Sequence, residues 1–149
     1  PVAGLLLALV QDHVVRGRVV FPAAGYLEMA TAAAGRLEHI ECLADAFFVS
    51  PLFALPSLVV ECVMSPKQYQ IRSHSAGSDD ANDATVHSTG KLGTNSLALA
   101  SPVQTTPGTH MLTAESIFAT LNKVGLEYGP AYRRLRHIWQ DGSCSVAKL

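Results

Sequence analysis

The sequence predicts an α+β domain in which an antiparallel sheet is wrapped around one long helix. A run rich in helix formers begins at Pro22, continues to about Leu37 and is apolar nearly all the way round. Four extended segments follow it, near 44–49, 58–64, 69–73 and 85–92, each closed by Pro, Gly or polar turn residues. Helix first and strands afterwards, without alternation, favours an antiparallel sheet over a parallel α/β one.

Taken in order, Gly4 to Val10 is apolar and short, a strand or a single buried turn that periodicity does not separate. Val14 to Phe21 is a second apolar segment, with Gly17 inside it. Gly17 fits either a β-bulge or a close approach of backbone or ligand. Pro22 is read as the first helical residue, where its missing N–H costs nothing and its fixed φ suits a helix. The helix Pro22 to Leu37 has Glu28, Thr31 and Arg36 as its main polar residues, so it should lie inside the protein, with Leu27, Ala30, Ala34 and Leu37 buried.

Phe47-Phe48-Val49 stops at Ser50-Pro51, and Leu58 to Met64 is apolar on both faces apart from Glu61. Tyr69, Ile71 and Ser73 alternate with Gln70 and Arg72, the period of a half-buried strand. Ser75 to Ala84 is a polar loop, and the next strand sets Val86, Ser88, Gly90 and Leu92 on one side. Residues 95 to 110 carry Pro102, Pro107 and Gly108 without a period and read as a surface linker. Thr113 is an N-cap, Ile117, Phe118, Leu121 and Val124 form an apolar stripe, and Gly125 stops that helix. Asp141-Gly142 signals a hairpin before a last strand from Cys144.

At 149 residues, 48% hydrophobic and 15% charged, the chain has enough apolar material for a sizeable core and is not disordered by composition. A formal charge of −1 leaves no basic footprint for nucleic acid. No apolar run reaches membrane-span length, and no Lys/Arg-led leader opens the chain, so a cytoplasmic protein is expected. Cys42, Cys62 and Cys144 are widely spaced and read as reduced thiols. His39, His74, His87, His110 and His137 lack ligand-like spacing, so no metal is expected.

The chemistry concentrates at Asp12-His13 and the helix start. An imidazole titrates near neutrality, and a helix N-terminus presents free N–H groups and partial positive charge. A base, a strand and a positive helix end thus fall within one short stretch. Asp12 is either a partner orienting His13 or a turn residue.

The spacing His13-x-x-x-Gly17-x-x-x-x-Pro22, the wider DHVVRGRVVFPAAGYLEMA, and Gly125-Leu-Glu-Tyr-Gly-Pro-Ala-Tyr132 together resemble the dehydratase domains of modular polyketide synthases and animal-type fatty acid synthases. The resemblance implies a hotdog fold doubled in tandem. Residues 1–94 would be the N-terminal hotdog, 95–111 a linker, and 112–149 the opening, incomplete segment of the second hotdog. It implies elimination of water from a 3-hydroxyacyl thioester to give an α,β-unsaturated thioester.

In that reading His13 is the general base and Tyr128 contacts the substrate hydroxyl, with core packing as the bland alternative for the tyrosine. Gly17, Pro22, Ala23, Ala24, Gly25, Gly129 and Pro130 are the substrate-binding residues. Among them, the N–H groups of Ala23 to Gly25 would polarise the thioester carbonyl. Ala23 stands where the family commonly has glycine, which brings a methyl group near the thioester. The family's acid, in an Asp-x-x-x-Gln motif, has no counterpart in these residues.

The resemblance implies no cofactor in the domain itself, the substrate riding on the phosphopantetheine of an acyl carrier protein. Implied partners are that carrier, neighbouring synthase domains, the remainder of the second hotdog and a second copy in a homodimer. Arg133, Arg134 and Arg136 would face an acidic carrier or form a solvated edge. The alternatives are a non-catalytic dehydratase-like scaffold that binds acyl chains, and a product-template-type cyclase. The segment alone is expected to be inactive and to expose apolar surface around Phe118, Leu135 and Trp139.

Overall fold

The computed structural model describes residues 5–37, 40, 42–53, 58–77, 83–94, 110–141 and 144–148. Two compact units divide the chain: Pro1–Val10 with Val20–Ala98, and Gln11–Val19 with Leu99–Leu149. The chain therefore leaves the first unit for the short stretch Gln11–Val19 and then returns to it.

In the first unit, the apolar stretch before Gln11 is the helix α1 (Leu5–Val10), with Val10 fully buried. The long helix is α2 (Ala23–Ala34), shorter than expected at both ends. Pro22 is its N-cap, at φ −70° and ψ 143°, and not its first helical residue. At the far end Gly35 closes the helix, and Arg36 and Leu37 donate to Ala33 and Ala34 carbonyls, the i−3 bonding that tightens a last turn. Leu37 is consequently 42% exposed, against the expected burial.

The expected all-round burial of α2 is also corrected. Tyr26, Ala30 and Ala34 are buried, Leu27 is half-buried, and Ala23, Ala24, Glu28, Thr31 and Ala32 are exposed. The buried residues recur every fourth position, one stripe of a helix. Alanine on every side gives the sequence no contrast between faces.

That stripe packs against an antiparallel sheet of β3 (Cys42–Phe48), β4 (Leu58–Ser65), β5 (Gln68–Ser75) and β6 (Thr85–Gly93), ordered β3-β6-β5-β4. Tyr69, Ile71 and Ser73 of β5 are buried, and the residues between them are half-buried, as their alternation predicts. Glu61, the one charged residue of β4, lies opposite Arg72 on β5 and accepts from its Nε at 2.6 Å. Such a partly exposed cross-strand pair contributes about 0.2–1 kcal/mol.

The single-sided pattern expected for β6 breaks at His87. Ile71 pairs with Ser88 while Arg72 pairs with Val86, so His87 is the extra residue of a bulge. Both His87 and Ser88 are therefore buried. The Ser50 hydroxyl donates to the Val86 carbonyl at 2.7 Å, so the His87 Nδ1–H donates to the Ser50 carbonyl and hydroxyl oxygens, both at 3.2 Å. Nε2 is left to accept from the Ser73 hydroxyl at 2.7 Å. The ring stacks on Tyr26, with centroids 6.2 Å apart. Burial raises the Tyr26 hydroxyl above the ordinary phenol range, against a smaller lowering by the Leu52 backbone.

In the second unit, β7 (His110–Thr113), β8 (His137–Asp141) and β9 (Cys144–Lys148) form an antiparallel sheet in that order. The linker expected over 95–111 ends earlier, because His110 and Met111 pair with Gln140 and Trp139. Residues 95–109 and the expected turn residue Gly142 lie outside the described residues. Thr113 caps α3 (Ala114–Lys123) by accepting from the Ser116 N–H, and Gly125 follows at φ +85° as the stop. Phe118 is buried, not exposed as expected, with the Arg133 guanidinium 5.6 Å over its ring. Leu135 and Trp139 are half-buried, while Val124 of the expected apolar stripe is 62% exposed.

Candidate active site

The second unit holds the base and its surroundings. Val14–Val15 (β1) and Arg18–Val19 (β2) form a hairpin whose two-residue turn, Arg16-Gly17, has φ of 49° and 71°. Positive φ at both central positions is the type I′ signature, whose twist matches the flanking strands. Space is not the reason for glycine at 17, since a Cβ there would meet nothing within 4 Å. The left-handed backbone is the reason. The β-bulge expected as one alternative for Gly17 is not what the structure shows: Gly17 is the second central residue of a hairpin turn.

A longer ladder then fixes His13. The Arg16 N–H donates to the Gly125 carbonyl at 2.7 Å, Glu127 to Val14 at 2.9 Å and Gly129 to Asp12 at 2.8 Å. These bonds step along two antiparallel segments, with Val15 bridged to Leu126. His13 therefore lies directly opposite Tyr128, at a position flanked by hydrogen-bonded pairs, where side chains approach closely. Their rings stack with centroids 5.3 Å apart and planes 24° apart.

Beyond Tyr128 the chain turns through Pro130–Tyr132, a single 3₁₀ turn, and returns a second aromatic to the imidazole. Tyr132 lies 5.1 Å from the His13 ring centroid and 5.8 Å from that of Tyr128, so the three rings form a near-equilateral cluster. Asp12 closes it: one carboxylate oxygen accepts from the Ala131 N–H at 2.8 Å, capping that turn. Desolvation, then the Asp12 carboxylate, then Tyr128 hold the Tyr132 phenol above its ordinary range. The Tyr128 carbonyl accepts from Arg133 Nε at 2.6 Å. His13 is half-buried. Stacking engages the faces of an imidazole, whereas proton transfer occurs at the nitrogens on its edge.

His13, Tyr128, Gly129 and Pro130 are thus brought together, with Gly17 at the turn beyond. Pro22, Ala23, Ala24 and Gly25 belong to the first unit. The Gly25 N–H donates to the Pro22 carbonyl at 2.9 Å, and Ala23 and Ala24 are exposed. A side chain at Gly25 would run into the Phe21 ring, so packing alone calls for glycine there. The Asp12 carboxylate bonds to the Pro130–Tyr132 turn across the ladder, a role that neither of its two sequence readings described. Tyr132 was missed by sequence reasoning. The available signal was Gly-Pro, a tight turn that returns the following residues toward the chain before it.

Comparison with known proteins bears on the fold and the family. The chain is 33% identical to the spectinabilin polyketide synthase system protein NorA′ of Streptomyces orinoci over 93% of its length, and spans 4% of that protein. It is 26% identical to polyketide synthase PksM of Bacillus subtilis over 93% of its length, again spanning 4% of the relative. A trans-AT polyketide synthase dehydratase domain from Brevibacillus brevis superposes with a TM-score of 0.77 at 23% identity, over 95% of this chain and 55% of that one. GphF dehydratase 1 superposes with a TM-score of 0.75 at 24% identity, over 94% and 52%. The superpositions show the fold, a hotdog of antiparallel sheet and helix. A family model for the polyketide synthase dehydratase domain matches residues 4–89, more than half of the sequence, and the chain belongs to that family.

Proposed function

We propose that these residues furnish the basic half of a dehydratase site acting on 3-hydroxyacyl thioesters within a polyketide synthase. His13 takes the proton alpha to the thioester carbonyl. The C–H bond breaks, the C=C bond forms, and the hydroxyl at the β-carbon leaves as water after receiving a proton from a general acid. The Tyr128 hydroxyl would contact the substrate hydroxyl. The product is the α,β-unsaturated thioester.

The observation that carries this reading is the ladder that fixes His13 opposite Tyr128, with Tyr132 closing a ring cluster around a half-buried imidazole. No Asp-x-x-x-Gln occurs in these residues, so the acid is proposed to come from residues beyond them, and the 149-residue chain alone is expected not to turn over. The proposed partners are an acyl carrier protein presenting the substrate on phosphopantetheine, neighbouring synthase domains, the rest of a second hotdog and a second copy. The proposed setting is the cytoplasm, and no further cofactor is required by proton transfer.

The test is turnover of a carrier-bound 3-hydroxyacyl thioester by the native polypeptide containing these residues. His13→Ala is expected to lower turnover by about 10²–10⁴-fold, the usual contribution of a general base, with the circular dichroism spectrum unchanged. Wild-type turnover in that variant would remove His13 from the mechanism.

A further inference from the structure

Asp12 stands beside the proposed base, but its carboxylate bonds elsewhere. One oxygen accepts from the Ala131 N–H at 2.8 Å, and its own carbonyl accepts from Gly129 at 2.8 Å. Both donors belong to the turn that links Tyr128 to Tyr132. Gly129 has ordinary extended backbone, at φ −76° and ψ 178°, so nothing in its conformation demands glycine. What demands it is Asp12: a Cβ at 129 would collide with the Asp12 carboxyl group. The carboxylate is thus seated where a side chain would otherwise be, against the first residues of the turn. A backbone N–H donating to a carboxylate is a charge-assisted bond, roughly twice as strong as a neutral one.

We propose that Asp12 is a positioning residue for His13, acting through the turn. By capping Pro130–Tyr132 it sets where Tyr128 and Tyr132 lie, and those two rings set the plane of the imidazole. The proposal rests on the reading of His13 as the base for its consequence in turnover, but not for its geometric content. A single side-chain oxygen of Asp12 accepts from the turn, and an amide oxygen at the same place can accept that bond, though more weakly. Asparagine should therefore substitute and alanine should not.

The test uses two variants and two readouts. In the chain with ¹³C- and ¹⁵N-labelled histidine, the ring resonances of His13, assigned by their loss in His13→Ala, carry ring-current displacements from Tyr128 and Tyr132. Asp12→Ala is expected to collapse those displacements toward free-histidine positions while the melting transition stays cooperative. Asp12→Asn is expected to retain them. In the native polypeptide, Asp12→Ala should lower kcat by about ten- to a hundred-fold, the range an ångström-scale misplacement produces, with KM little changed and Asp12→Asn restoring most of the loss. Unchanged His13 resonances in Asp12→Ala would overturn the proposal, as would an Asp12→Asn variant as damaged as alanine in both readouts. If His13→Ala retains turnover while the resonances respond as expected, the assignment of the base fails and the positioning role stands.

Discussion

Gly25→Ala sets two physical effects against each other at one position. Gly25 is the third residue of α2, and replacing a helical glycine by alanine ordinarily gains up to about 1 kcal/mol through lost backbone freedom in the unfolded chain. Here the added methyl carbon would sit 2.7 Å from Cζ and 3.3 Å from Cδ1 of Phe21, and nearer still to Cε1. Carbon–carbon contacts are favourable at about 3.5–4.0 Å, so the overlap must be relieved by movement. The ring has little freedom to move. Phe21 is 5% exposed, its N–H is held by the Leu52 carbonyl at 2.8 Å, and its ring lies 5.1 Å from that of Tyr26. Overpacking of this kind costs about 1–3 kcal/mol, which exceeds the propensity gain. A net loss of about 1 kcal/mol is expected, a fall of about 2–4 °C in Tm for a chain of this size. Urea unfolding followed by circular dichroism measures it. In a Phe21→Leu background the same substitution should become neutral or stabilising, a coupling that a double-mutant cycle isolates. A raised urea midpoint for Gly25→Ala alone would refute the reasoning, because it would mean that the Phe21 ring yields freely.

Gly17→Ala should cost about 1–2 kcal/mol although the site is open, since the price is that of a left-handed backbone; Gly17→Asn should recover part of it, read by the same unfolding curves. Leu27→Ala should cost less than the 2–5 kcal/mol usual for a core leucine, about 1–2 kcal/mol, because Leu27 is only half-buried beside the Tyr26, Ala30 and Ala34 stripe. His87→Leu should destabilise by about 1–3 kcal/mol by stranding the buried Ser73 hydroxyl, which now donates to Nε2. Pairing it with Ser73→Ala should remove much of that cost, and a double variant as unstable as His87→Leu would count against the hydrogen-bond account.

The helix-and-sheet plan was legible because apolar runs and turn residues agreed over long stretches. The strands at 58–65, 68–75 and 85–93 fall within a residue or two of where alternation and β-branching put them. What was not legible came from small residues and from register. Alanine on every side of α2 hid which face would be buried. The bulge at His87 could not be read from β6 alone, since it is a property of the β5 pairing. Gly17 was weighed as a bulge or a close approach because Arg-Gly is a weaker turn signal than Asn-Gly or Asp-Gly. His13 was singled out by spacing, but its partners depend on which residue faces which across the ladder. Tyr132 and Asp12 entered the cluster only once that register was seen.

The ladder between residues 12–16 and 125–129 also dictates when the site can exist. The imidazole and its two ring neighbours are more than a hundred residues apart in the sequence. At a synthesis rate of about 5–20 residues per second, His13 emerges roughly 6–23 s before Tyr128. During that interval the four-stranded sheet of the first unit can close on α2, all of its strands having already been made. Bringing the distant segments together carries a modest entropic cost, because each doubling of the intervening chain adds only about 0.6 kcal/mol. The burden falls on the rate, since sequence-distant pairings are slow to find one another. The segment from Asp12 to Val15 therefore waits without its partner at 126–129 while translation continues, exposed to any other strand it meets. A ribosome stalled before Tyr128 would release a chain with a finished sheet and a histidine that has no ring beside it.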